Sequence, residues 1–466
     1  AQYDANGVII EAELPQIASN HPFIPPEVEE TRSGSVSWYR RFTELGWDEK
    51  INERKTLRTN FSLTGNAWGD WQWNVGGTYG TYNQHQRDIN EIDLQHLANA
   101  LQVTTIGGEV VCASAAARAE GCVPVNIFGE GSITDAMANY IRYDADLRQE
   151  REQVTSLASA NGTLLELPAG PLKAAIGLEY RREYQRTWGQ GGDKILQTTS
   201  TGVPDIDARF DVVEAFAELD IPVVESVSLQ LAGRVADYST VGTVYSYNIG
   251  GSYFPSPDIR FRTQYSRSQR APTLTEFFSP PRGDYDSLND PCDGLLPDGT
   301  GITPPPGSNT PASTIAQNCL AEPGIQAYFA DPANAGQDFS AGGSVFGPNA
   351  GNTNLTEETA DTFTAGVIFT PTFVPGLALI VDYYQINVKD AIGSVSTQLA
   401  AELCYTADNY PNNRFCDTIT RNAANGQVRE VINQAENLDE YKTAGIDTTL
   451  DYDFEIGGIP GDFDLN

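Results

Sequence analysis

Six cysteines are the residues whose chemistry the sequence declares most openly. They fall in three close pairs, Cys112 with Cys122, Cys292 with Cys319 and Cys404 with Cys416, each in a stretch rich in Gly, Pro or Asn. None forms a C-x-x-C motif or sits near a histidine, which argues against metal ligation. Sequence alone leaves many connectivities open, but short-range pairing would make each bridge a staple within one loop. Pairs drawn from different loops would have to bring distant Cα atoms to within about 4.4–6.8 Å. Disulfides put those loops in an oxidising compartment outside the cytoplasm. A second run is acidic: Asp284, Asp286, Asp290, Asp293 and Asp298 crowd one loop. Carboxylates suit a hard cation such as Ca²⁺, yet nothing in their spacing fixes a ligand set, and a solvated acidic surface is the expectation. No metal site and no cofactor are assigned. Arg270, at a strand end just before this loop, is a candidate ligand contact together with Asp284, Tyr285 and Asp286. For Arg270 a structural ion pair is an equal alternative. Catalytic chemistry finds no support. His21, His85 and His96 have no zinc-ligand spacing and read as solvated loop residues, and no nucleophile-elbow, P-loop or dinucleotide motif occurs. The chain is not read as an enzyme.

The elements that must position these residues are strands. In the stretch IRFRTQYSRSQR (259–270), Ile259, Phe261 and Tyr265 alternate with Arg260, Arg262, Gln264, Ser266 and Ser268. That is the period of a strand with one apolar and one polar face. The pattern recurs in segments of about ten residues. Leu172, Ile176 and Leu178 oppose Lys173, Glu179 and Arg181; Leu229 and Leu231 oppose Gln230 and Arg234; Tyr247 and Ile249 oppose Asn248. The connections alternate as well. Short turns rich in Gly or Pro lie at 66–70, 168–171, 221–226, 254–258, 370–376 and 455–462. The intervening loops are mostly long, at 84–148, 188–209, 269–357 and 389–427, with 239–242 the short exception, and every cysteine pair lies in the long set. Keeping this parity makes 34–65 one descending strand with a break near Gly46, and 428–455 one long irregular strand. About a dozen strands result. The expected fold is all-β: a transmembrane antiparallel β-barrel with short turns on one side and long extracellular loops on the other. A soluble sandwich or propeller is the competing reading; a loop as long as 269–357 and the lack of tandem repeats count against it. Trp38, Trp68, Trp71 and Trp73 fit a membrane interface or packing role.

Charge narrows the partners. The 466 residues carry 62 acidic and 29 basic side chains, a net charge of −33, so nucleic acid is excluded as a partner. The chain opens on AQYDANG, with neither Met nor an apolar leader, so processing or truncation of the start is expected.

The ordered motifs resemble those of the TonB-dependent receptors of Gram-negative outer membranes. The R-A-P-x-x-x-E-x-F motif reads Arg270, Ala271, Pro272, Glu276, Phe278, and the Asn-x-x-Leu-x-x-Glu segment reads Asn352, Leu355, Glu358. The "vDyy-x-i" strand reads Val381-Asp382-Tyr383-Tyr384-Gln385-Ile386, and Gly445-Ile446-Asp447 resembles a later family strand. Segments 128–134 and 177–181 are similar to versions from aquatic α-proteobacteria. The resemblance implies a family barrel of about twenty-two strands, of which this chain would supply about twelve; the N-terminal plug, its TonB box and the closing strands would lie outside this sequence. It further implies localisation in the cell outer membrane, contact with outer-membrane lipid and lipopolysaccharide, and energy from the TonB–ExbB–ExbD complex. The cargo would be a scarce, bulky nutrient, an iron–siderophore complex, cobalamin or an oligosaccharide. A passive porin or adhesion-type barrel is the alternative, and a secreted all-β glycosidase a more distant one.

Overall fold

The computed structural model describes residues 2–3, 9–11, 17–18, 21–25, 35–36, 38–189, 198–199, 203–281, 285–437, 440–455 and 462–465. Twelve strands form one antiparallel sheet: β1 (Glu49–Asn66), β2 (Gln72–Ile92), β3 (Arg142–Leu167), β4 (Gly170–Gly189), β5 (Ile206–Val224), β6 (Val227–Tyr238), β7 (Gly242–Ser256), β8 (Ile259–Arg270), β9 (Glu358–Phe369), β10 (Leu377–Lys389), β11 (Tyr441–Glu455) and β12 (Asp462–Leu465). Every strand pairs with its neighbours in sequence, so the sheet is a meander, with β1 at one edge and β12 at the other. Among the described residues the sheet does not close. No helix among them is long and apolar enough to cross a membrane.

Register puts like residues side by side. Ile249 lies opposite Leu231 and Tyr265, Leu229 opposite Ile221, and Val367 opposite Phe261 and Val381. These residues share one face, and that face stays open: Ile176 is 52%, Leu178 62% and Ile249 53% exposed. So many bare aliphatic side chains would be untenable in water and are the natural wall toward lipid. The face ends upward in tyrosines tied to charges. Tyr79 donates to Glu152 at 3.3 Å, Tyr180 to Asp211 at 2.5 Å and Tyr265 to Asp361 at 3.1 Å. Such phenols, apolar below and wet above, mark a membrane–water boundary. Its lower rim carries Trp68 and Trp73, the turn between β1 and β2 being closed by an Ala67 N–H to Trp71 carbonyl bond of 2.8 Å and by Gly69 at φ +61°.

The opposite face is polar and carries Lys173, Arg181, Gln230, Arg234 and Asn248, as the alternation expects. Arg181 lies over the Phe210 ring at 5.7 Å, and Arg234 pairs with buried Glu214 at 2.6 Å. Leu274 of a later loop packs on this face against Phe210, Val212, Ala236 and Val244, which marks it as the inner wall.

Two expected strands are revised. Segment 34–65 is not one strand: Ser35–Val36 pairs with Ile17–Ala18, a short 3₁₀ turn spans Thr43–Leu45, and β1 begins at Glu49. Segment 428–455 is three strands. Val428–Val431 and Asn433–Asn437 pair with loop strands at 344–350, 392–394 and 419–421, and only β11 joins the large sheet. The reason is local: the long loops build sheets of their own, which recruit this segment before it descends.

Candidate functional site

Two loop bodies sit at the end of the sheet opposite the short turns. The first, between β2 and β3, contains α1 (Leu94–Leu101), α2 (Ala115–Ala119) and α3 (Asp135–Ile141). Asp93 caps α1 by accepting from the His96 N–H at 3.0 Å, and Leu97, Leu101, Val125 and Ile141 form a core that Ile17, Ile24 and Leu45 complete. His21 is buried there, 3.0 Å from the Leu101 carbonyl, and burial lowers its pKa. His96 stacks on Tyr140 at 4.6 Å, and His85 reaches Asp146 at 2.6 Å. The expectation of solvated loop histidines is corrected for His21, which is buried in the loop core, and for His85, which stands on β2 opposite β3; His96 keeps its side chain 40% exposed.

The second body joins the loop after β8 to the loop after β10. It holds α4 (Leu274–Phe278), α5 (Ala312–Leu320), α6 (Pro323–Ala330) and α7 (Thr397–Tyr405). One core takes Cys292, Leu295, Ile315, Cys319, Ile325 and Phe339 from the first loop with Cys404 and Tyr405 from the second. Disulfides Cys292–Cys319 and Cys404–Cys416, with Cα separations of 5.6 and 4.9 Å, staple the two loops, and Cys112–Cys122, at 6.3 Å, staples the other body. At the centre Arg421 grips Asp290 with two bonds of 2.6 and 2.7 Å, donates from Nε to the Tyr405 hydroxyl at 2.7 Å, and lies over that ring at 4.8 Å. Tyr405 and Tyr410 both donate to Glu322 at 2.6 Å. Burial raises the Tyr405 pKa well above the ordinary phenol value. This network was not picked out from the sequence. A signal existed: the loop 271–357 has ten acidic residues and one basic one, Arg282, so its buried carboxylates had to find a cation elsewhere.

The candidate ligand contacts fall at the base of this cap. Arg270 commits all three guanidinium nitrogens. Nε and Nη2 meet Glu358 at 2.6 and 2.9 Å, while Nη1 and Nη2 meet Glu276 at 2.9 and 3.1 Å. The arginine and glutamate of R-A-P-x-x-x-E thus meet the glutamate of Asn-x-x-Leu-x-x-Glu in one clasp. It holds α4 across the inner wall, helped by the Thr273–Glu276 capping box. Burial alone would raise the Glu276 pKa, but Arg270 and the Thr273 N–H outweigh it and hold the carboxyl below its usual value. Asp286 accepts from Thr397, and from Asn433 at 3.0 Å, tying the two loops together. Tyr285 is exposed and packs edge-on to Phe346 at 5.6 Å. Asp284 lies outside the described residues. The rest of the acidic run is dispersed: Asp290 to Arg421, Asp293 to the Ala341 N–H at 2.8 Å, and Asp298 to Thr300. Among the described residues no group of three or more His, Cys, Asp or Glu could hold a metal ion.

Beneath the cap, α4 faces a recess of about 520 Å³ in the upper inner wall, lined by Thr56, Arg58, Tyr82, Arg151, Gln153 and Gln185 among others. A second recess, lower on the same wall, is lined by Lys173, Glu218, Asp220, Gln230 and Asn248.

Similar folds occur among solved structures. The siderophore receptor PirA from Acinetobacter baumannii is 13% identical at a TM-score of 0.43, over 86% of this chain and 43% of that one. A variant of the ferric enterobactin receptor PfeA from Pseudomonas aeruginosa, in complex with enterobactin, is 14% identical at a TM-score of 0.46, over 89% and 44%. The RagAB peptide transporter is 11% identical at 0.43, over 88% and 35%. The chain thus spans less than half the length of these neighbours. No curated protein matches the sequence. The family model "TonB dependent receptor-like, beta-barrel" matches residues 17–465, and the chain belongs to that family, the TonB-dependent receptors.

Proposed function

We propose that this chain is part of the barrel of an outer-membrane importer that takes up a scarce, bulky nutrient and is energised by TonB. The sheet would be completed to a closed barrel by strands outside this sequence, since lipid tolerates no unpaired edge, and a plug outside this sequence would fill its lumen. TonB, with ExbB and ExbD, would supply the energy, and outer-membrane lipid and lipopolysaccharide would surround the apolar face. The protein acts as a transporter rather than an enzyme. An iron–siderophore complex, cobalamin and an oligosaccharide are the cargo classes in keeping with the family. One observation carries the reading: two long loops, each stapled by a disulfide, fold into a single cap with a shared core above a polar inner wall. Ordering loops before the ligand arrives removes an entropy cost that binding would otherwise meet; an open pore gains nothing from it. Tyr285 is the exposed aromatic contact we assign to the cap, while Arg270 and Asp286 hold its base in shape. The test is uptake of the nutrient that induces the gene, in cells with and without TonB. Uptake should vanish without TonB. Uptake that persists would leave a passive porin in place of the importer.

A further inference from the structure

Several arginines of the sheet are committed to carboxylates, among them Arg181 to Glu183, Arg182 to Asp211, Arg234 to Glu214, Arg262 to Asp382 and Arg267 to Asp361. Among the described residues, Arg58 and Arg151 have no ion-pair partner, although the chain holds 62 acidic side chains. Both line the recess that faces α4. The register sets their geometry: Arg58 is paired across to Gly80 and Gly80 to Gln153, while Thr56 is paired to Tyr82 and Tyr82 to Arg151. The two arginines therefore stand two strands apart, roughly 10 Å across the sheet, and offset by one pleat, on either side of Gly80. That glycine is not demanded by the backbone. It has no left-handed φ, and a Cβ built on it would meet only the Leu57 carbonyl oxygen, at 3.8 Å. Glycine within a strand costs packing, and it commonly marks the close approach of a ligand or another backbone. Here it leaves an open floor between two guanidinium groups, beside the hydroxyls and amides of Thr56, Tyr82, Gln153 and Gln185. The two carboxylates of the lining are already engaged, Glu183 by Arg181 and Gln153, and Glu152 by Tyr79.

We infer that this recess is a ligand subsite that takes the carboxylate of a hydroxyl-rich molecule between Arg58 and Arg151. Planar guanidinium groups suit carboxylate oxygens, and the surrounding amides both donate to and accept from hydroxyls. The recess also lies within the usual size of small-ligand sites, roughly 300–1,000 Å³. With a net charge of −33 the chain does not gather anions at a distance, so selection for one falls to these contacts. The inference rests on the importer reading only in placing the recess on a ligand's path. Two sources share this chemistry, a uronic-acid oligosaccharide and an iron chelate of a hydroxycarboxylate.

The experiment is calorimetric titration of the intact receptor with tetragalacturonate, ferric citrate and the neutral maltotetraose. At least one carboxylate probe should bind, and which one does identifies the source. Arg58→Gln and Arg151→Gln should each weaken that binding by about tenfold or more, and Gly80→Leu should block it, with heat-modifiable gel migration showing that each variant assembles. The inference is overturned if neither carboxylate probe binds, if maltotetraose binds as tightly as the carboxylates, or if both arginine variants bind as the parent does. These outcomes leave TonB dependence of uptake untouched, so this inference and the importer reading fail separately.

Discussion

At the scale of single residues, the cap depends on a charge pair that water cannot reach. The Arg421 side chain is 5% exposed and its partner Asp290 1%, and their bonds to each other and to Tyr405 and Gly426 are what make such burial tolerable. Removing one member of a buried pair strands the other, at a cost of about 3–5 kcal/mol, whereas replacing both with apolar groups can be neutral. Arg421→Met should accordingly lower the thermal stability of the cap and open residues 285–350 to protease, and the double change with Asp290→Leu should recover much of the loss. Equal stability of parent and single variant would show that the pair does not hold the cap. Two titrations bound its working range. The folded pKa of Tyr405 is raised above the ordinary value of 10.0, by burial first, so its contribution is fully present below about pH 10 and is lost as pH rises toward the folded value. Cap stability, followed by protease resistance, should fall above pH 10, and Tyr405→Phe should blunt that fall. Glu276 runs the other way. Its folded pKa lies below the ordinary 4.5, so the clasp's contribution is present above that value and lost as pH falls through the folded one. Exchange of the Phe277 amide, bonded to the Thr273 carbonyl, should speed up on acidification beyond its intrinsic rate in the parent but not in Glu276→Gln.

At the scale of elements, alternation carried the strands, and the same alternation supports a test by substitution. Ile249 is on the lipid face and Asn248, its neighbour, on the inner one. Ile249→Arg should cost about 2–4 kcal/mol near mid-membrane and reduce the assembled, heat-modifiable form, while Asn248→Arg should assemble normally; the reverse order would mean the register is off by one residue. The strands were legible because a wall between lipid and water imposes a strict period of two on each of them. The loops were not legible in the same way. Their structure comes from contacts between segments far apart in sequence: Asp286 finds Asn433, Asp290 finds Arg421, and Cys292 shares a core with Tyr405. No local pattern announces such meetings. Arg270 shows the boundary between the two cases. Its place at the strand end could be read from the motif, but its commitment to Glu276 and Glu358 required the next strand, β9, to return beside it.

At the scale of the whole molecule, the grouping of the loops decides which deletion is informative. By length alone, 84–148 and 269–357 stand out as the entrance. The structure instead joins the loop after β8 to the loop after β10, while the β2–β3 loop closes around its own core with Ile17, Ile24 and Leu45. Removing 284–350 by itself would strip the apolar cover from Cys404 and Tyr405, which are now 1% exposed, and leave the remaining loop misfolded. Loss of uptake in that variant would say little about ligand capture. The cleaner change replaces 284–350 and 391–436 together with short Gly-Ser linkers, so that the cap leaves as one unit with both of its disulfides. Short linkers suffice because the strands that bear these loops are already paired: β8 to β9 over the whole of 259–270, and β10 to β11 from Leu377 to Val388. The barrel should then assemble at parental levels, because its stability resides in strand pairing and lipid contact and not in the cap. Uptake at low nutrient concentration should be lost, and with it the saturable, high-affinity phase of binding to whole cells. Removing the β2–β3 body (94–141) in the same way should leave that phase in place. If the capless receptor still accumulates nutrient from dilute medium, capture belongs to the inner wall alone, and the cap serves some other purpose at the cell surface.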